Sequence, residues 1–250
     1  YNSVSPPTIW GTQWDDYQVT GVEISIQKNL APDWYWNESI NDWQERGAGN
    51  PYWNSGSVWT SSWTYTGISN TKFASGNTYT IQSRARDNLN NYEATPYTSI
   101  SFLYDTSEPV TTITSPADGV DRNTFCGVQG TAYDEIIGYD SGLATLKIQV
   151  KGLSGSTTEY WDPPGWSGNE TWLGTTAGES WALSSTPTWK NGYKYEVRAY
   201  HTDWAGNPES PPVLNTFIFD TSKPDSSISC PSNPFYGPGL AMFWGSFVDY

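Results

Sequence analysis

Two groups of oxygen-bearing side chains recur in this sequence with the same internal spacing. Each group has an aspartate, an asparagine four residues later and a glutamate two residues after that: Asp87, Asn91 and Glu93, then Asp203, Asn207 and Glu209. Another aspartate follows each group, Asp105 after the first and Asp220 after the second. Calcium prefers several such hard oxygen ligands. The pattern is therefore compatible with calcium, and with no other cofactor, at sites built from these eight residues.

The same spacing has a second explanation, in which no ion is involved. Asp87 and Asp203 can accept hydrogen bonds from the backbone of their own turns, as aspartates commonly do. No run of closely spaced acids resembles an EF-hand loop, which favours this explanation. A further acidic loop, Asp134, Glu135 and Asp140, with Asp15 and Asp16 as its counterpart, adds ligands only if it lies at the same end of the fold.

Tryptophans crowd the middle of each half of the chain, and three of them, Trp161, Trp166 and Trp172, are candidates for ligand binding. Exposed aromatic rings bind sugars by stacking on their apolar faces, so a polysaccharide is a candidate partner. The alternative is that these rings fill the core or bury at contacts between neighbouring domains. The two alternatives differ in whether the rings point outward as an exposed row or inward.

Catalytic sets are not found in this sequence, and we expect no enzyme. The one histidine, His201, lies on a predicted strand, and no persuasive Ser-His-Asp set can be built around it. The carboxylates are not fixed as a pair that would flank a glycosidic bond. Cys126 and Cys230 occupy different strand positions in different repeats, so we expect two unpaired thiols unless subunits meet.

Composition narrows the range of partners. The 250 residues carry a formal net charge of -14, which opposes binding to the phosphate backbone of nucleic acids. No apolar run is long enough to span a membrane. Asn37 and Asn169 begin Asn-x-Ser/Thr triplets in comparable parts of the two halves, which would suit glycosylation outside the cell. We therefore expect an extracellular or cell-surface location.

An internal repeat positions all of these residues. The stretch YKYEVRAYHTDWAGNPE at 193–209 echoes TYTIQSRARDNLNNYE at 78–93, and Asp203 follows Asp87 by 116 residues. A third partial copy begins at Asp220, where DTSKP repeats the DTSEP that begins at Asp105. A period of this length suits one autonomous domain per repeat. We expect domains at 1–104, 105–219 and 220–250, the last holding only the first two strands of a further repeat.

Alternating apolar and polar residues predict about seven strands in the complete copy, 105–219, and no helical periodicity is present. Strands are expected at Val110–Thr114, Thr124–Tyr133, Leu143–Lys151, Thr158–Trp161, Glu179–Ser184, Tyr193–Asp203 and Val213–Phe219. Short strands separated by turn residues are typical of a two-sheet antiparallel sandwich of the immunoglobulin or fibronectin III type. The fold class is therefore all-β, as tandem sandwiches.

The first copy lacks the counterpart of the opening strand, which would precede Tyr1, whereas 226–229 is a surplus opening strand. A sheet that lacks an edge strand exposes unpaired backbone groups. One explanation is that the chain is a window of a longer repeat protein. The other is that the tail of one subunit completes the first domain of the next, which would give an open head-to-tail fibre.

Three phrases carry a resemblance to a known family. They are Asp-Thr-Ser-x-Pro at 105–109 and 220–224, Ser141-Gly142-Leu143, and the run from Val197 to Glu209. The chain resembles the tandem immunoglobulin-like repeats of large bacterial and archaeal surface proteins and adhesins. That resemblance implies a structural or adhesive role in a fibre or stalk, beside flanking repeats or copies of itself. The first copy departs from the pattern at Asn90, where the second has Gly206, but asparagine tolerates positive φ.

Overall fold

The computed structural model describes residues 8–47, 49–124, 127–134, 141–230, 232, 237–238 and 242–248. Strands dominate, and they assemble into antiparallel sheets that form sandwich-like domains, so the predicted all-β class is confirmed. The chain divides into two compact units, the first made of Tyr1–Val110, Tyr133–Ala144 and Thr202–Ser210, and the second of Thr111–Ala132, Thr145–His201 and Pro211–Tyr250. Within the described ranges, no helix has the length and apolar character needed to cross a membrane.

The first repeat forms two sheets. Its strands are β1 (Ile9–Thr12), β2 (Val19–Lys28), β3 (Trp34–Asn37), β4 (Asp42–Glu45), β5 (Asn54–Ser55), β6 (Ser57–Val58), β7 (Ser62–Tyr65), β8 (Asn77–Asp87) and β9 (Thr98–Tyr104). One sheet has the order β1-β7-β6, and the other has the order β4-β3-β2-β8-β9 with β5 added to β2. The long strands β2 and β8 pair from Lys28↔Tyr79 to Val19↔Asp87 and form the centre of the larger sheet.

The second repeat has the same number of strands and a similar plan. Its strands are β10 (Val110–Ser115), β11 (Gln129–Tyr133), β12 (Leu143–Ser154), β13 (Thr157–Asp162), β14 (Gly165–Ser167), β15 (Leu173–Thr176), β16 (Ser180–Ala182), β17 (Tyr193–Asp203) and β18 (Val213–Phe219). The sheets have the orders β10-β11-β16 and β14-β13-β12-β17-β18, with β15 added to β12. The predicted count of about seven is too low because β14 and β15 form between Trp161 and Glu179, where glycine, proline and tryptophan interrupt the alternation.

The aromatic core is repeated almost ring for ring. In the first repeat, Trp43 lies 5.5 Å from Tyr79 at 33°, and Phe73 meets Tyr79 at 4.8 Å and 90°. The second repeat places Trp166 at 5.5 Å and 37° from Tyr195, and Trp189 at 4.6 Å and 90° from it. Offset and edge-to-face pairs of this kind add to the stabilisation that comes from burial. The repeat therefore fixes the packing of the core as well as the strand order.

The tail forms a hairpin of β19 (Asp225–Cys230) and β20 (Trp244–Val248), in which Ser227 lies opposite Ser246. Within the described residues these two strands form a sheet of their own. Their large apolar side chains are exposed, including those of Ile228, Trp244 and Phe247. A lone two-stranded hairpin is marginally stable, because it buries little apolar surface.

Candidate functional site

The turn that follows β17 is held by Asp203. Strand alternation points His201 and Asp203 toward the buried face. The Asp203 carboxylate accepts hydrogen bonds from the backbone N–H and the side-chain amide of Asn207, both at 2.7 Å. Gly206 has a φ of 93°, a conformation that favours glycine. The turn is therefore closed by its own aspartate and asparagine, as the explanation without an ion expects.

Asp87 forms the same turn in the first repeat, where it is only half-buried and the turn residues after it are exposed. Its carboxylate accepts hydrogen bonds from the Leu89 and Asn91 backbone N–H groups and from the Asn91 side chain. Chiefly because of the Asn91 side-chain hydrogen bond, the pKa of Asp87 lies below its usual value. Asn90 has a φ of 66°, which asparagine tolerates, and the corresponding Gly206 also has a positive φ. The two turns thus share their conformation and differ in burial.

Three buried carboxylates converge at the second turn. They belong to Asp105, Asp134 and Asp203, and one ligand oxygen from each lies within 4.8 Å of the others. Asp105 follows β9 directly, Asp134 follows β11, and Asp203 ends β17. The Asn207 side chain donates to the Asp105 carbonyl oxygen at 3.1 Å, which fastens the turn to this cluster. Two of the predicted ligands are therefore brought together with an aspartate from the acidic loop.

Backbone donors hold the cluster in place. Asp105 accepts hydrogen bonds from the N–H groups of Ser107 at 2.9 Å and Ser141 at 2.8 Å, and Asp134 accepts one from Gly142 at 3.1 Å. Burial acts to raise the pKa of Asp105, but the Ser107 and Ser141 donors outweigh it, so the pKa is below its usual value. Asp105 is therefore ionised at neutral pH.

The three clustered carboxylates offer oxygen ligands that suit a hard divalent cation. Carboxylate charges this close repel one another in a buried environment, and a cation between them would offset that repulsion. Oxygen-only ligands are those that calcium takes. Asp105, Asp134 and Asp203 would hold such an ion, whose charge would tie the end of β9 to two loops of the same compact unit.

We expect calcium to raise the melting temperature, and the variant Asp203→Asn to lose that increase. At a free calcium concentration tenfold above the dissociation constant, linkage adds about 1.4 kcal/mol to the free energy of unfolding. Differential scanning calorimetry in calcium and in chelator measures the difference. The matched control is Asp87→Asn, which removes the same carboxylate from the exposed turn and should leave the calcium response unchanged. Parent melting curves that coincide in calcium and chelator would contradict the prediction.

The remaining predicted ligands lie apart from this cluster. Asn91 stays with Asp87, and Glu93 accepts a hydrogen bond from the Ala85 N–H at 3.1 Å. Glu209 is half-buried and is not one of the three converging carboxylates. Asp220 accepts a hydrogen bond from the Ser222 N–H, as Asp105 does from Ser107.

Only part of the acidic loop joins the cluster. Asp134 is one of its three carboxylates, whereas Glu135 and Asp140 lie outside the described residues. In the counterpart of that loop, Asp15 accepts hydrogen bonds from the Tyr17 and Gln18 N–H groups. Asp15 thus closes a local turn in the first repeat.

The three predicted ligand-binding tryptophans occupy packed positions. Trp161 is 2% exposed and donates to the Ser185 carbonyl, so it presents no face to a sugar. Trp166 is half-buried, donates to the Thr188 carbonyl and packs against Tyr195 with its ring tilted by 37°. Trp172 is half-buried and meets the edge of Tyr200 at 5.3 Å. Their ring planes therefore do not form a common exposed row that includes Trp161.

The other candidate residues are also accounted for by packing. His201 is fully buried, and burial lowers its pKa to about 4. Its Nδ1 lies 2.8 Å from Thr111 Oγ1. Cys230 is a free thiol and donates to the Met242 carbonyl, whereas Cys126 lies outside the described residues.

Of the two predicted glycosylation sites, one does not fit this structure. Asn37 is buried, donates to Gln44 and accepts from Ser39, because its triplet forms the cap of a 3-10 turn. A buried, hydrogen-bonded amide cannot carry a glycan in the folded chain. Asn169 is exposed, and its glycosylation stays a prediction.

The chain matches no protein-family profile, and no curated protein matches it. Among solved structures, it is similar to a crystal structure described as a tetra-tandem repeat in the extending region of a large adhesion protein. The TM-score is 0.32 and the identity is 17%, over 90% of this chain and 48% of that chain. The chain thus spans about half the length of that structure.

Proposed function

We propose that this chain is a structural segment of an extracellular surface fibre, stalk or adhesin, built from immunoglobulin-like repeats and without catalytic activity. The observation that carries the proposal is the repetition of a whole core. Tyr79 and Tyr195 accept the same hydrogen bond, from Ala74 and Lys190 respectively, both at 2.8 Å. Repetition at this level is typical of arrays in which each domain contributes length and a surface.

The composition supports a location outside the cell. Net charge keeps a protein soluble through self-repulsion, and this chain carries -14. Flanking repeats or further copies of the chain are the proposed partners. The buried carboxylate cluster would add a cation-dependent tie within such an array.

The proposal is tested by imaging and by surface labelling. An antibody raised against the purified chain should label the outside of intact source cells, and electron microscopy of the labelled material should show filaments or stalks with an axial repeat of one or two domains. Treatment of intact cells with a protease should remove the label. Label that is found only after the cells are opened would overturn the proposal.

A polysaccharide-binding module is the second candidate function. The observation that favours it is a group of exposed rings in the first repeat, because Trp14, Tyr17 and Trp59 are exposed and border one concave surface. Such rings can stack on sugars, although they are not the tryptophans that the sequence indicated. Tryptophan fluorescence titrated with polysaccharides tests this function. A shift that Trp14→Ala removes and Trp204→Ala retains would support it, and an unchanged spectrum would count against it.

A further inference from the structure

Strand β18 is the long edge strand of the larger sheet in the second repeat. It has seven residues and pairs with β17 along one side, and among the described strands none pairs with its other side. The strands at the opposite edge, β14 and β15, have only three and four residues. An edge strand presents a row of backbone N–H and C=O groups that can pair with a strand of another chain. The outer side of β18 is therefore open to strand addition unless another segment covers it.

The sequence of β18 adds to this exposure. Its residues, VLNTFIF, include no charge, proline or glycine, and most of them favour extended backbone. Short segments with this composition tend to pair with copies of themselves and to aggregate. The side chains of Leu214 and Ile218 are 42% and 41% exposed. An uncovered β18 would thus be a site at which copies of the chain associate.

The loop that follows β10 covers the outer side of β18. We call this loop, residues 116–122, the strap. Within it, the Gly119 N–H donates to the Thr216 carbonyl at 2.8 Å, and the Arg122 N–H donates to the Ile218 carbonyl at 2.9 Å. The two segments run in the same direction, so the strap lies parallel to β18. It therefore occupies the place that a further strand would take.

Two aspartates of the strap complete the hydrogen bonding. Asp118 Oδ1 accepts the Thr216 N–H at 2.7 Å, and Asp121 Oδ1 accepts the Ile218 N–H at 3.1 Å. In a sheet, such N–H groups would donate to the backbone carbonyls of a neighbouring strand. The two carboxylates take the place of those carbonyls. As a result, the backbone N–H and C=O groups of Thr216 and Ile218 are all hydrogen-bonded to the strap.

Further hydrogen bonds fasten both ends of the strap. At its start, the Asn215 side chain of β18 donates to the Pro116 carbonyl at 2.9 Å and to the Ile113 carbonyl of β10 at 3.2 Å. Pro116 itself is buried. At the other end, the Asp220 N–H donates to the Arg122 carbonyl at 2.9 Å. An incoming strand must therefore displace a segment that is fixed to β18 at both ends and between them.

The charge of the strap also opposes an incoming strand. Asp118 and Asp121 are exposed, so their carboxylates lie at the outer edge of the sheet in contact with water. Hydrogen bonds to ionised acceptors are stronger than those between neutral groups, which makes the strap harder to displace. Charged side chains and covering loops are two means by which proteins keep edge strands from pairing. The strap combines both.

We propose that the strap is an edge guard, which prevents strands of other copies of the chain from adding to β18, and that Asp118 and Asp121 hold it closed. Such a guard matters in a repeat protein because similar domains at high local concentration misassemble by exchanging strands. The inference goes beyond the proposed function, since it concerns the second repeat alone and does not depend on where the protein is located.

Hydrogen exchange tests whether the aspartates hold the strap. The double alanine variant, Asp118→Ala/Asp121→Ala, is made in the full chain. It should raise the exchange rates of the Thr216 and Ile218 amides about tenfold, because each amide loses its acceptor. The double asparagine variant keeps an acceptor oxygen at both positions, so its rates should stay near those of the parent. Asp162→Ala, which removes an exposed aspartate on β13, is the control. NMR spectroscopy measures both amides individually.

Association in solution tests the guarding role. Light scattering of concentrated samples should show that the double alanine variant forms oligomers about fivefold faster than the parent. Adding Ile218→Lys to that variant places a charge on the exposed side of β18 and should return the rate to that of the parent. This reversal separates association through β18 from association through any other surface. If circular dichroism shows that the double alanine variant does not fold, Asp121→Ala alone replaces it, because it removes the longer of the two hydrogen bonds.

Two kinds of result would overturn the inference. The first is an unchanged exchange rate of the Thr216 and Ile218 amides in the folded alanine variant, which would mean that the aspartates do not hold the strap. The second is an association rate that stays at the value of the parent, or that Ile218→Lys does not lower, which would make the strap a packing element only. Neither result would affect the surface-labelling test, so failure of this inference is distinguishable from failure of the proposed function.

Discussion

Replacing Trp161 with alanine is expected to lower the free energy of unfolding of the second unit by about 3–5 kcal/mol, the usual range for a buried tryptophan. Trp161 is 2% exposed, meets the edge of Trp166 at 5.5 Å and donates to the Ser185 carbonyl at 3.1 Å. Alanine would leave a cavity and an unused acceptor. Urea unfolding followed by circular dichroism measures the change.

The repeat supplies a matched experiment and a control. Trp36 is the counterpart of Trp161, is fully buried and meets Trp43 at 5.8 Å, so Trp36→Ala should cost the first unit a similar amount. Trp204 is 76% exposed, and Trp204→Ala should change stability by no more than about 0.5 kcal/mol. A destabilisation by Trp161→Ala that is as small as that of Trp204→Ala would contradict the packed position of the ring.

Alkaline pH is expected to destabilise the second unit through Tyr195. Burial raises the pKa of Tyr195 to about 12, whereas the unfolded chain has a value near 10. The folded state therefore retains a proton that the unfolded state releases between these values. The stabilisation is fully present below pH 10 and is lost as the pH rises toward 12, to a total of about 2.7 kcal/mol.

The variant Tyr195→Phe isolates this contribution. It removes the titrating hydroxyl together with the hydrogen bond from the Lys190 N–H, so it should be less stable than the parent at pH 8. Between pH 10 and 11.5 its free energy of unfolding should fall less steeply with pH than that of the parent. The difference in slope corresponds to at most one proton. Urea midpoints measured over this range provide the comparison. Parallel pH profiles for the two chains would contradict the assignment to Tyr195.

The repeat allowed much of the fold to be predicted from the sequence. Strand alternation located β10, β17 and β18 at or within one residue of their observed ends. The sequence aligned Asn90 with Gly206 and noted that asparagine tolerates positive φ, and both residues have positive φ. The strands β14 and β15 were missed, because glycine, proline and tryptophan interrupt the alternation there while pairing with β13 and β12 supplies the missing order.

The candidate site was predicted only in part. The sequence named Asp105, Asp203 and Asn207, but treated the two turns as equivalent. The sequence could not show that Asp134 lies beside Asp105 and Asp203. That contact depends on how a loop packs in the folded chain, and no spacing in the sequence indicates it. Nor could it show that Asn37 is buried, because a glycosylation triplet carries no information about exposure.

The sequence by itself determined the all-β class, the repeat, and the turn chemistry of Asp87 and Asp203, because alternation, recurrence and short-range hydrogen bonding are local properties of a chain. Only the tertiary structure decided which side chains share an environment. It buried Asp203 beside Asp105 and Asp134 and left Asp87 half-buried. It also placed Trp161 in the core, whereas the composition alone allowed a surface position. Such differences depend on which distant segment covers a given strand, and that is set by the packing of the whole domain.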